Sequence, residues 1–64
     1  MTNSNLIDFF KKNKGKKCKI TTKDPTPQEY EGVIGEVTDE ETYPSVKIGN
    51  DFHRISDIDN AWLV

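Results

Sequence analysis

EYEGVIGEVT, residues Glu29 to Thr38, is the stretch whose reading decides the fold. Its β-branched and aromatic residues favour an extended, pleated backbone. The inward-facing set changes along its length, and Gly32 and Gly35 interrupt it. Glycine permits a bend or bulge there, and one bent strand shared by both halves of a sheet is what a small closed barrel needs.

The flanking segments extend that reading in both directions. Upstream, Cys18, Ile20 and Thr22 alternate with Lys17, Lys19 and Thr21, the two-residue period of a strand with one face inside and one in water. Two prolines in Asp24-Pro25-Thr26-Pro27-Gln28 cannot donate to a sheet ladder and make this segment a loop. Still earlier, Leu6, Ile7, Phe9 and Phe10 recur at helical spacing behind an Asn3 or Ser4 cap, and Gly15 stops the helix. Downstream, Asp39-Glu40-Glu41-Thr42 is an acidic turn and Tyr43 to Ile48 a third strand. Gly49-Asn50-Asp51 makes a tight hairpin turn, from which Phe52 to Ile55 returns as a fourth strand. Ser56-Asp57-Ile58 reads as a single helical turn that brings Ile55 and Ile58 to one side, and Ala61 to Val64 as a short fifth strand. The expected fold is mainly β: a five-stranded SH3-like or Sm-like barrel with a short N-terminal helix. It is one small domain over residues 1–64, with the helix over 4–13 and the barrel over 16–64.

The 64 residues hold one small core, and at 33% hydrophobic and 31% charged the chain is polar but too rich in Ile and aromatics for a disordered tail. One cysteine closes no intramolecular disulfide, and one histidine supplies no structural zinc set, so packing must carry the stability. No apolar run has the roughly 18 to 20 residues that span a bilayer, and the N-terminus lacks a signal-peptide pattern, which gives a cytoplasmic expectation. Charge is divided within the net of -2: residues 1–23 carry seven lysines against Asp8, and residues 24–64 carry Lys47 and Arg54 against ten acids. The stretch KKNKGKKCK, residues 11–19, concentrates six lysines. Its field would attract phosphates or acidic protein surfaces, or simply keep the protein soluble.

At residue level, Gly15-Lys16-Lys17-Cys18-Lys19-Ile20, Tyr30-Glu31-Gly32-Val33-Ile34 and Ser56 to Val64 resemble three strand motifs of one family. It is the C-terminal SH3-like domain of the bacterial ribosome maturation factors, with its "GKxVxV", "F-x-G-x-L" and closing "I-x-x-x-D-I-x-x-A-x-L" segments. The resemblance covers most of the chain and implies the barrel fold and a place in a macromolecular assembly. Phe52-His53-Arg54-Ile55-Ser56 is similar to the closing "Y-K-H-A-I-S" motif of the Sm-like RNA chaperone Hfq, with His and the basic residue in swapped order. That likeness implies a helix before a five-stranded barrel, and both resemblances point to RNA as the alternative partner.

The sequence offers two surfaces. For nucleic acid, Lys16, Lys17, Lys19 and Lys23 would neutralise phosphates while Phe52, His53 and Arg54 stack on or hydrogen-bond to unpaired bases. For a protein groove, the candidates are Tyr30, Tyr43, Pro44 and Trp62. Tyr30 and Phe52 lie in strands of a chain poor in large hydrophobes and are expected to be buried. Trp62 either plugs the base of the barrel or stays accessible to a partner or a second copy. Cys18 is expected to be inward and inert. His53 has no partner nucleophile, and Asp39, Glu40 and Glu41 read as a solvated turn because a divalent site needs a shaped ligand shell. The expected function is therefore a non-catalytic interaction module without cofactor or metal, binding a protein partner or assembly. RNA or single-stranded nucleic-acid binding through residues 16–23 is the alternative. Charges split onto opposed faces would also permit head-to-tail self-association.

Overall fold

The computed structural model describes residues 3–23, 25–38 and 42–64. Helix α1 (Asn3–Lys12) precedes strands β1 (Lys17–Thr22), β2 (Glu29–Thr38), β3 (Ser45–Ile48) and β4 (Asp51–Arg54). A single 3-10 turn (Ile55–Asp57) leads into β5 (Ile58–Leu63). The strands form one antiparallel sheet in the order β4-β3-β2-β1-β5. Its hydrogen-bonded ladder does not close: β4 and β5 are its two edges.

The change of face expected in β2 has a definite cause. Residues Glu29 to Val33 pair with β1, and the rest of the strand pairs with β3. Between Ile34↔Ile48 and Val37↔Val46 the register shifts, so β2 advances three residues while β3 advances two. The extra residue is a β-bulge, and it flips the alternation. Tyr30 and Ile34 therefore face inward before it, and Val37 after it. A second shift, between Thr21↔Asn60 and Thr22↔Ile58, places Ile58 and Ala61 in the core although they are three residues apart in a strand.

Leu6 and Phe10 of α1 are fully buried and join Cys18, Ile20, Ile34, Val46, Ile48, Ile55, Ile58 and Ala61 in one cluster. A ten-residue helix is marginal alone, and burying two large side chains, about 1.5–3 kcal/mol each, is what holds it. Lys11 and Lys12 occupy its last turn, where the helix dipole favours cations. The helix ends at Lys12 and the turn that follows closes on Gly15, which takes φ 86°, while the Asn13 side-chain amide donates to the Phe9 carbonyl at 2.8 Å. Gly15 N–H then donates to Ile34 O at 2.8 Å and Ile34 N–H to Lys16 O at 2.9 Å, which fastens the helix exit to the middle of β2.

The β3–β4 hairpin turns on Gly49 (φ 63°) and Asn50, with positive φ at the first central residue only, as in a type II′ turn. This turn packs against β2. A Cβ at Gly32 would lie 2.7 Å from the Gly49 nitrogen and 2.9 Å from its Cα, whereas one at Gly35 would meet only the Lys47 side chain, at 3.4 Å or more. Gly32→Ala is therefore expected to lower unfolding stability by about 2–3 kcal/mol, and Gly35→Ala by less than about 1 kcal/mol. Urea unfolding of both variants checks this, and equal losses would mean that the contact between β2 and the hairpin turn is not the tight one.

Candidate functional site

The lysines of the basic segment are separated by the strand they lie on. Lys17 and Lys19 project from the outer face of β1, and the antiparallel register sets Glu29 and Glu31 of β2 beside them. Lys17 Nζ lies 2.9 Å from Glu31, and Lys19 Nζ 2.8 Å from Glu29 and 3.9 Å from Glu31. The two short contacts are diagonal cross-strand pairs, and the longer Lys19–Glu31 contact joins residues directly opposite. The hydrogen bond from Lys17 holds the Glu31 carboxyl below its ordinary range, and the hydrogen bond to Glu29 raises Lys19. Two of the four lysines proposed to meet phosphate are thus neutralised by neighbours. Lys16 stays exposed at the entry to β1, at the opposite end of that strand from Lys23.

Lys23, Phe52, His53 and Arg54 do come together. They line a groove of about 430 Å³ with Tyr30, the loop residues Thr26 and Gln28, Thr22 at the end of β1, and Asp57 of the 3-10 turn. The loop between β1 and β2 is pinned at its neck: Thr22 N–H donates to Gln28 O at 2.9 Å, and Gln28 N–H to Thr22 Oγ1 at 2.8 Å. Lys23 N–H donates to Asp57 O at 2.9 Å, tying the loop to the 3-10 turn. The Tyr30 hydroxyl donates to Gln28 Oε1, and the Tyr30 ring packs on His53 at 4.6 Å between centroids. That contact joins the first half of β2 to β4 across the concave side of the sheet.

Register decides two aromatic positions: it corrects the burial expected of Phe52 and selects the accessible alternative for Trp62. The two-residue turn pairs Ile48 with Asp51, which sets His53 opposite buried Val46 and Phe52 opposite Lys47. Phe52 is therefore on the outer face and 54% exposed, and half-buried His53 takes the inward position. Trp62 pairs with Lys19 on the outer face and is 37% exposed, so it does not plug the core, whose β5 positions belong to Ile58 and Ala61. Tyr30 is partly buried against the core, as expected of a strand aromatic.

The four protein-groove candidates do not form one surface. Tyr30 lies in the groove, and exposed Tyr43 reaches its margin through Arg54, whose guanidinium carbon sits 4.4 Å from the Tyr43 ring centroid. Pro44 is half-buried, its carbonyl accepting the Ile55 N–H at 2.8 Å, and Trp62 stands on β5 beside the lysine–glutamate pairs. Thr22, Thr26, Gln28 and Asp57 were not legible as site residues. The only sequence signal for them was the proline pair that makes the loop around Thr26.

No family model, curated protein or solved structure matches this sequence. Among the described residues no three His, Cys, Asp or Glu side chains gather as a metal site, and no helix is long and apolar enough to cross a membrane. Asp39, Glu40 and Glu41, the acidic turn, lie outside the described residues.

Cys18 is fully buried, and burial pushes its thiol up. Ellman's reagent should therefore label the native protein only as fast as it opens, and rapidly in denaturing urea. Rapid native labelling would show that the inner face of β1 is open to solvent. The exposed Lys17–Glu31 pair has its own pH signature. Because the folded Glu31 carboxyl lies below its unfolded value of about 4.3, its contribution is present above that pH and lost as pH falls through the folded value. The urea midpoint should fall less steeply below about pH 4.3 in Lys17→Gln than in the natural protein, and the two slopes should converge in about 0.5 M salt. Equal slopes at low salt would exclude this pair as the source.

Proposed function

We propose that this chain is a non-catalytic interaction module, an SH3-like or Sm-like barrel of the cytoplasm, that holds a protein partner in the groove beside β4. Support for the barrel is the strand order β4-β3-β2-β1-β5, with a bulged β2 shared by both halves and a 3-10 turn between β4 and β5. The Tyr30–His53 contact across the concave side and the ribosome-maturation-type strand motifs agree with it. The observation that carries the function is the exposure of Phe52 and Tyr43 at a groove that also presents Arg54, Lys23 and polar loop side chains. An apolar side chain left in water at the rim of a polar cleft suits a peptide, which brings apolar and polar groups together. Ion pairing of Lys17 and Lys19, and the carboxylate of Asp57 within the groove, weigh against a phosphate backbone as occupant.

RNA remains the second reading because Lys23, Phe52, His53 and Arg54 converge in this groove. A selection of displayed random peptides separates the two. Peptides should be enriched on the natural protein and lost on Phe52→Glu, a substitution at an exposed site. No enrichment over that control, together with salt-sensitive amide shifts in Lys23 and Phe52 to Arg54 on adding a 12-nucleotide single-stranded RNA, would replace the protein reading with the nucleic-acid one.

A further inference from the structure

The groove touches Phe52, His53 and Arg54, three consecutive residues of a strand. Side chains alternate between faces along a strand, so a groove reaches all three only by running along the strand's edge. β4 has such an edge: its one ladder neighbour is β3. Phe52 and Arg54 are two residues apart and on the same outer face, which places their Cα atoms about 7 Å apart. A peptide laid extended beside β4 has that same two-residue repeat on its own facing side chains.

The chemistry at the two positions differs. Phe52, more than half exposed, offers an apolar ring. Arg54 offers a planar guanidinium whose central carbon lies 4.4 Å from the Tyr43 ring centroid, a cation–π contact that helps to hold it in place. Two cations, Arg54 and Lys23, line the groove with one carboxylate, Asp57, which leaves its lining net positive. A fixed, planar pair of donors suits one carboxylate, held by two parallel hydrogen bonds.

We propose that the groove reads an extended peptide that adds along the edge of β4, with an apolar side chain on Phe52 and a carboxylate two residues away on Arg54, its field reinforced by Lys23. The proposal rests on the protein-binding reading above and specifies the segment that would be bound. Main-chain hydrogen bonds to the β4 edge would supply affinity, and the apolar-x-acid spacing would supply selectivity.

The test is an amide-shift titration of the isotope-labelled chain with two acetylated, amidated pentapeptides, Gly-Leu-Ser-Glu-Gly and its Gly-Leu-Ser-Gln-Gly counterpart. The glutamate peptide should shift the amides of Phe52 to Arg54 and of Thr22, Lys23, Thr26 and Gln28, and bind at least tenfold more tightly than the glutamine one. Arg54→Lys should lose about tenfold, because an ammonium cannot form the parallel pair, and Phe52→Ala should weaken both peptides. Both substitutions are at exposed positions, and their unperturbed spectra elsewhere verify the fold. Equal binding of the two peptides in the groove would overturn the carboxylate reading and leave the peptide site standing. Shifts centred instead on Val33 and Trp62 would overturn the β4 edge as the docking place. No shift with either, where displayed peptides of other sequence are enriched, would overturn this inference alone. No shift with either and shifts with RNA would overturn the protein reading with it.

Discussion

One ten-residue strand has to bury side chains in both halves of a sheet, and strict alternation would let it serve only one. The bulge between Ile34 and Val37 removes that conflict. With it, Ile34 and Val37 both point into a core that neither half could enclose alone. Much else hangs on this position. Ile34 takes both backbone hydrogen bonds that fasten the exit of α1, and the hairpin turn at Gly49 closes on Gly32, two residues before it, with its N–H on Val33 O at 3.0 Å. In a domain without a disulfide, such convergence matters because the ten buried side chains among the described residues make a small core, and each must be positioned by backbone geometry rather than by bulk.

The same strand governs the electrostatics. Glu29, Glu31, Lys17 and Lys19 are each on the outer face, at a period of two, in adjacent antiparallel strands. Their side chains sit within reach only because β2 begins where it does, seven residues after β1 ends and across the proline loop. The pairs are exposed and contribute little to stability. What they change is the field: the β1 part of the strongest positive stretch becomes a zwitterionic face, and the groove cations, Lys23 and Arg54, gain in relative weight.

How much of this could be read from the residues follows from which signals are local. The helix, the glycine that ends it, the alternation of β1, the bend of β2 and the turn at Gly49-Asn50 each lie within a few residues, and the structure places all of them within one or two positions of the expectation. Closure was a non-local inference, and the ladder stays open between β4 and β5. The faces of Phe52 and Trp62 also depend on register. Phe52 follows from a two-residue turn that pairs Asp51 with Ile48, and Trp62 from a bulge in β5 that gives the core Ile58 and Ala61 instead. Size and hydrophobicity argued for burial of Phe52 and left Trp62 open between burial and exposure, and pairing geometry decided both. The lysine–glutamate pairs were latent in the matching period-two patterns of residues 17–19 and 29–31, which become informative only once hairpin pairing is assumed.

An open sheet has two edges, and this one treats them differently. Val64 N–H bonds to Lys17 O, so three residues earlier, with the alternation reversed, Ala61 N–H points away from β1. It does not wait for a partner: the Asn60 side chain accepts it at 2.9 Å, which blunts the β5 edge in the way side-chain caps discourage unwanted pairing. β4 is only four residues long, too short to template an aggregate, yet its edge opens onto a groove with oriented cations and an exposed ring. Shortness limits nonspecific pairing, and the flanking side chains select what pairs. A chain this small has no second domain in these residues on which to build a binding surface. An edge made selective by Phe52 and Arg54, while the other is capped by Asn60, lets one sheet supply both the core and the place where a partner is held.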